Sequence, residues 1–360
     1  MEINQSALKK YLEDLFGGSI TRIKMSTLGK GCIGIGYLLE FETSKNRYRR
    51  VLKCMYSEHL GSDYPADRAQ SLILAHHTYN RMDNHVESLD VVGVDRKGNI
   101  LPVGKAEDFY ILMDEAKGKD FFSDLRRIAA EKKFTKEDKE RVVVLAKYLA
   151  ELHAKRFQSE SLYRRKIRDT VGSGVSIMGI LDMYPEKVSW FSHKMQAELV
   201  KKAIEHWSEE RYRSDRLCEI HGDFHPGNIW FRDSGDFILL DRSRGQFGEA
   251  ADDITAFLIN FIFYSVMYEG GFTGPLAELC QAFIDNYLKL TKDKDLGKVI
   301  SPYWAFRTVV VCNPHPAFYP DSFFESQKKA KDVRKKMLNF AFNSLEEKNF
   351  NWKKIDSYLH

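Results

Sequence analysis

Ile220-His-Gly-Asp-Phe-His-Pro-Gly-Asn-Ile-Trp-Phe231 packs one carboxylate, two imidazoles, an amide, two glycines and a proline into one short stretch. Its flanks, Leu217–Ile220 and Ile229–Phe231, are β-prone. The polar groups therefore fall in a loop held by two strands, where catalytic residues are commonly carried. Downstream, Phe231-Arg-Asp-Ser-Gly-Asp-Phe237 has turn composition, and Phe237-Ile-Leu-Leu240 reads as a returning strand that ends at Asp241. Such a hairpin brings Asp241 back beside the loop that carries Asp223 and Asn228. Two carboxylates and an amide oxygen converging in this way suit a hard divalent cation such as Mg2+.

Toward the N-terminus, Ile33–Phe41 and Tyr48–Met55 carry apolar and β-prone residues separated by the turn-like Thr43-Ser-Lys-Asn-Arg47. Just ahead lies Gly29-Lys-Gly-Cys-Ile-Gly34, a G-x-G-x-x-G set between two predicted strands. Glycines let a backbone pass close to phosphates, and a position between strands argues against a dinucleotide fold. After Gly61-Ser-Asp-Tyr-Pro65, apolar residues at 69, 72, 73 and 76 recur at helical spacing through Met82, with Asp67 in the first turn. Short strands follow at Asp90–Val94 and Phe109–Met113. Past the connector Asp114–Asp120, Thr135-Lys-Glu-Asp138 predicts a capped helix start, with Val142, Leu145, Ala146, Leu149, Leu152 and His153 on one face. A loop is expected over Arg164–Arg168 and Gly172–Gly174, another helix over Met195–Tyr212, and mostly helix beyond 241. The division expected is 1–113, β-rich with one helix, and 114–360, mainly helical.

The spacing His221-x-Asp223 with Asn228 five residues on matches the kinase catalytic-loop pattern H-x-D-x-x-x-x-N. In the form His-Gly-Asp-Phe-His-Pro-Gly-Asn it resembles the aminoglycoside phosphotransferase-like family, small-molecule kinases for antibiotics, choline, homoserine and similar alcohols. Gly248-Glu-Ala-Ala-Asp-Asp-Ile254 is similar to that family's Gly-Asp-Pro-Ala-x-Asp-Leu segment, with Glu249 and Ala250 substituted and Asp253 at a structural Asp. The resemblance implies an α+β, bilobal protein kinase-like fold: a small antiparallel β N-lobe with one helix and a larger, mainly helical C-lobe. It further implies ATP and Mg2+, with Asp223 accepting the proton of an acceptor hydroxyl and Asn228 and Asp241 holding the metal. Gly29, Gly31 and Gly34 would then form the phosphate loop, and Lys53, in Arg50-Val-Leu-Lys-Cys54, would hold the α/β-phosphates. An acid from Glu58, Asp63 or Asp67 would orient Lys53, with Asp67 the first choice. Leu112-Met-Asp-Glu-Ala116 would be the hinge that receives adenine, through Met113 and Glu115. Where protein kinases carry Phe-Gly after the metal acid, this chain has Arg242-Ser-Arg-Gly245, so no aromatic switch is expected there. Arg242 and Arg244 either neutralise phosphoryl charge or pair with Glu249, Asp252 or Asp253.

Two other chemistries fit parts of the pattern. His221, Asp223 and His225 at alternate positions could be metal ligands of a hydrolase, although Pro226 and Gly227 break the strand this needs. A nucleotide-binding scaffold without turnover is the other. Acids such as Glu249, Asp252 and Glu269 could bind a cationic acceptor.

Composition narrows the class further. The 360 residues are 43% hydrophobic and 29% charged, with 23 glycines and nine prolines, which gives a sizeable core and excludes fibrous or disordered chains. Net charge is +4 without a basic stripe, so nucleic acid is not an expected partner; a small-molecule acceptor is. Five scattered cysteines fit a reducing compartment. No apolar core with a cleavage site opens the sequence, and Ile254–Tyr268 is short and polar-spotted for a membrane span. It reads as a buried core helix in a cytoplasmic protein with no membrane partner.

Overall fold

The computed structural model describes residues 3–56, 62, 65–101, 108–242 and 244–360. They form two compact units: Met1–Lys117 with Ile238–Arg244, and Gly118–Phe237 with Gly245–His360.

In the first unit, helix α1 (Gln5–Phe16) is capped by the side chain of Asn4 and stopped by Gly17 in the left-handed region. Strands β1 (Ile20–Lys30), β2 (Gly34–Thr43) and β3 (Arg47–Met55) follow, then helix α2 (Pro65–Tyr79). Strands β4 (Ser88–Val94), β5 (Ile100–Leu101) and β6 (Asp108–Asp114) complete an antiparallel sheet of order β1-β2-β3-β6-β4-β5. The period of two along a strand sorts its side chains between two cores. Leu52 and Cys54 of β3, with Tyr110 and Leu112 of β6, pack on Leu8 and Leu12 of α1. Val51, with Phe109, Ile111 and Met113, packs on Ala69, Leu72, Ala75 and Tyr79 of α2. Lys53 shares the parity of Val51, so the alternation that builds the α2-side core also aims Lys53 to that face. The expected strands and helix are present, and α1 is an addition to them. Ile73, expected on the buried face of α2, is 45% exposed; Ala75 and Tyr79 take its place.

The second unit opens with β7 (Lys119–Asp120), α3 (Phe121–Glu131) and α4 (Lys136–Ala154). The capping box expected of Thr135 and Asp138 is present. Arg164–Arg168 lies not in a loop but inside helix α5 (Glu160–Gly172), which is capped by Ser159 and buries Tyr163, Ile167 and Val171 at spacings of four. The run of basic residues hid an apolar stripe at i, i+4, i+8. Then come α6 (Ile177–Asp182), α7 (His193–Glu210), β8 (Cys218–Glu219) and β9 (Ile229–Phe231). Strand β10 (Phe237–Leu239) carries the chain out of this unit, and β11 (Phe247–Gly248) brings it back to pair with β8. Helices α8 (Ala250–Glu269), α9 (Gly274–Thr291), α10 (Leu296–Val299), α11 (Ser301–Val311) and α12 (Gln327–Glu346) finish the chain. By length and hydropathy α8 could pass for a membrane span, yet 94% of that window is buried inside the protein, packed by α3, α9, α11 and α12. It is the core helix that the sequence suggests. Four of the five cysteines, Cys54, Cys218, Cys280 and Cys312, are buried as free thiols.

Candidate functional site

Within the first unit, Lys53 Nζ donates to Asp241 Oδ1 at 2.7 Å, with both side chains about three-quarters buried. Tyr79, at the end of α2, donates its hydroxyl to the same Oδ1 at 3.3 Å. Burial, and then the Asp241 charge, push the Tyr79 phenol well above its ordinary range, so it stays a donor. Asp241 itself sits at φ 65°, a left-handed backbone that few non-glycine residues adopt. Strained conformations of this kind persist where the surroundings over-determine them, and they cluster at functional sites. Among the described residues, Asp241 is an acid that the structure pairs with Lys53. Asp67 lies in the first turn of α2, and Glu58 and Asp63 lie outside the described residues.

The glycine loop is a tight turn between β1 and β2, closed by Gly31 N donating to Gly34 O at 2.9 Å. Gly34 faces the β3 backbone so closely that a Cβ there would stand 2.1 Å from the Cys54 carbonyl oxygen. At Gly29 a Cβ would meet nothing within 4 Å, and at Gly31 only Gly34 O at 3.8 Å. In the segment expected to be the hinge, Met113 is buried in the α2-side core. Glu115 is clamped by Arg49 at 2.6 and 2.8 Å, which holds its carboxyl below the usual range.

Arg242 is fully buried: its guanidinium donates to Thr78 O at 3.3 Å, and its carbonyl accepts from Thr78 Oγ1 at 3.0 Å. The acids suggested as partners for Arg242 and Arg244 are served from elsewhere. Glu249 takes Arg216 at 2.7 Å and Tyr163 at 3.0 Å; Asp252 takes Arg307 and Lys166; Asp253 takes His153 at 3.2 Å.

In the second unit the loop from His221 to Asn228 is tied to buried Asp253. Asp253 accepts from the backbone N–H of His221 and of Gly222, each at 2.7 Å. Burial alone would raise the Asp253 pKa, but His153 and the His221 N–H hold it below 3.8. Inside the loop, Asp223 N donates to His221 Nδ1 at 3.2 Å, and Gly227 N donates to His225 Nδ1 at 3.1 Å. The Asn228 amide nitrogen donates to Asp223 O at 3.0 Å. Facing a carbonyl, the amide must present its NH2 there, which turns Oδ1 the other way. Asp223 and Asn228 are 7% and 8% exposed.

The alternation of His221, Asp223 and His225 does not make a metal centre. Among the described residues no group of three or more His, Cys, Asp and Glu side chains is arranged to hold an ion. The reason is local: both Nδ1 atoms are spent on loop backbone, and a short 3-10 turn over Pro226–Asn228 ends the extended geometry.

Arg307 and Lys166 escaped the sequence reading. From α11, Arg307 donates Nη1 to Asp223 Oδ1 at 3.0 Å and Nη2 to Asp252 Oδ1 at 2.5 Å. Burial would lower its pKa, but Asp252 and Asp223 more than offset that and raise it. A signal did exist, for Arg307 is the lone charge in the apolar run Ser301-Pro-Tyr-Trp-Ala-Phe-Arg-Thr-Val-Val-Val311.

No family model matches the chain, and no curated protein matches it in sequence. Solved structures do match. A thermostable mutant of aminoglycoside phosphotransferase APH(4)-Ia, in ternary complex with ADP and hygromycin B, overlays with a TM-score of 0.50 at 12% identity, over 92% of this chain and 98% of that one. Spectinomycin phosphotransferase APH(9)-Ia, in complex with ADP and spectinomycin, gives 0.48 at 12% identity over 96% and 99%. A Plasmodium vivax ethanolamine kinase gives 0.49 at 14% identity over 97% and 84%. With an antiparallel sheet in one unit and a helical body in the other, the chain has the α+β, kinase-like fold of an aminoglycoside phosphotransferase.

Proposed function

We propose that this protein is a phosphotransferase that moves the γ-phosphoryl group of ATP to a hydroxyl of a small molecule. The observation that carries the reading is the Lys53–Asp241 pair at 2.7 Å, with Asp241 held in a left-handed backbone. A cation for phosphate oxygens and an acid for a metal are thereby paired on the α2 face of the sheet.

The residues present fit a nucleotide and its metal. Gly29 and Gly31 have open space where a side chain would be, so their own packing does not demand glycine, whereas a phosphate chain passing close would. Asp241 offers carboxylate oxygens and Asn228 an amide oxygen, each the hard donor that Mg2+ prefers. Bound there, Mg2+ would offset the negative charge of the β- and γ-phosphates. Lys53 would donate to the α/β-phosphates. Asp223 would accept the hydrogen bond of the acceptor hydroxyl, orient it, and take its proton as the new O–P bond forms. Asp253 and Arg307 would keep the loop and its carboxylate in place. Catalysis by positioning and electrostatics needs no covalent enzyme intermediate.

The test is ATP consumption over alcohols, sugars and hydroxy acids, with calorimetric MgATP binding measured alongside. Asp223→Asn is expected to lower turnover by at least about a hundredfold, the scale of a lost general base, while nucleotide affinity stays within about twofold. Undiminished turnover in that variant removes Asp223 from the reaction, and a wild-type protein that fails to bind MgATP refutes the phosphotransferase reading.

A further inference from the structure

The charges around Asp223 limit what an acceptor can carry. Arg307 bonds Asp223 and Asp252 together, and the other oxygen of Asp252 is held by Lys166 Nζ at 3.1 Å. Arg307 and Asp252 are 4% and 2% exposed, so water screens these contacts little. Two carboxylates meet two cations, and the set is neutral. Three further acids of the second unit are spent as well. Glu249 lies against Arg216 and Tyr163, Asp253 against His153 and two backbone N–H groups, and Glu269 against Lys132 at 3.2 Å.

An acceptor hydroxyl bonded to one oxygen of the Asp223 carboxylate sits ~3 Å from it, and so within ~8 Å of the Arg307 guanidinium. A positive group one or two carbons further along would approach the Arg307 guanidinium, and the two carboxylates beside it are each already paired with a cation. A neutral or acidic group there meets a cation that favours oxygen.

We propose that the acceptor is a neutral or acidic polyol, sugar or hydroxy acid with no positive charge near the reacting hydroxyl, and that the Arg307–Asp252–Lys166 network sets this selection. The inference rests on the phosphotransferase reading, since it takes Asp223 as the group that receives the acceptor.

The experiment measures MgATP-dependent ADP release with acceptors matched in skeleton: glycerol, glycerate and 2-amino-1,3-propanediol; glucose, gluconate and glucosamine; and a wider set of sugars and hydroxy acids with their amino counterparts. Neutral or acidic members are expected to exceed their amino counterparts by at least about tenfold in kcat/KM. An amine that is equal or better overturns the inference. So does a protein that binds MgATP yet responds to no neutral or acidic member. Absence of MgATP binding is a different failure, that of the phosphotransferase reading itself. Lys166→Met, which uncovers one oxygen of Asp252, is expected to raise the amine-to-neutral ratio several-fold, and an unchanged ratio takes the selection away from the network.

Discussion

Asp241 concentrates the chemistry of the first unit at one carboxylate oxygen. Lys53 and Tyr79 both donate to its Oδ1, at 2.7 and 3.3 Å. Lys53 reaches it because strand parity sends residue 53 to the α2 face, and Tyr79 because it ends the buried stripe of α2. The two donors differ in consequence. A lysine ammonium on its flexible stem can turn to another acceptor, whereas Tyr79 is 2% exposed and its ring lies tilted against His85 at 4.0 Å, so its hydroxyl stays on the carboxylate. Tyr79→Phe keeps the ring and removes the hydroxyl, a loss of ~1 kcal/mol in orienting the carboxylate proposed to hold the metal. The expected result is an unchanged affinity for metal-free ATP and about a fivefold smaller gain on adding Mg2+, read by calorimetry. Equal Mg2+ dependence in both proteins would mean that Tyr79 only packs.

The glycine loop shows at the scale of an element what each glycine is for. Pairing of β2 with β3 places Gly34 opposite Met55, and a methyl at 34 would strike the Cys54 carbonyl, which belongs to a strand held on both sides. Gly34→Ala should therefore lower stability by ~1–3 kcal/mol, the usual cost of overpacking. Gly31→Ala meets only an ordinary contact and has no positive φ to strain, so its melting temperature should match the parent. If the loop closes over phosphates, Gly31→Ala should nonetheless weaken ATP binding, by about threefold to tenfold, because a methyl would intrude on the approach. Thermal melts and ATP titrations of the two variants separate the roles; a Gly31→Ala protein with full ATP affinity would leave the loop an ordinary hairpin.

What the sequence made legible follows from the range over which its signals act. The strands around Lys53, the box at Thr135 and Asp138, and the polar loop at 220–228 are written in neighbouring residues, where periodicity and capping operate. Helix α5 was hidden because four charges in Arg164–Arg168 outweighed a stripe whose members lie four apart. The partners of the candidate residues are written at longer range. Asp241 is 188 residues from Lys53, and Arg307 is 84 from Asp223. No local pattern couples such positions; it takes the packing of α11 beside α8, and the docking of the 238–242 segment on residues 78 and 84–86, to bring them together. A lone Arg in an apolar helix was the one clue available, since a buried charge requires partners.

Over the whole molecule, the loop from His221 to Asn228 depends on a charge that pH can remove. Asp253 lies at the start of the buried helix α8 and receives His153 from α4 and two N–H groups from the loop, so one carboxylate joins three segments of the second unit. Its folded pKa is below the unfolded value of 3.8. A depressed acid contributes stability that is fully present above the unfolded pKa and is lost as pH falls through the folded one. Asp138 and Asp293, held low by Arg127 and Arg216 against the opposing effect of burial, add in the same direction. Glu210, raised by burial, opposes them, since its stabilising contribution grows on acidification. Asp253→Asn leaves His153 and the loop amides facing a weaker acceptor, at a cost of ~3–5 kcal/mol near neutral pH, the range for breaking a buried pair. The gap between the two proteins should hold steady in denaturant melts from pH 7 to about pH 4 and narrow only below that, as the parent's own Asp253 is protonated on the way to pH 3. A gap that stayed constant across that range would mean the Asp253 carboxylate holds the loop by shape and not by charge.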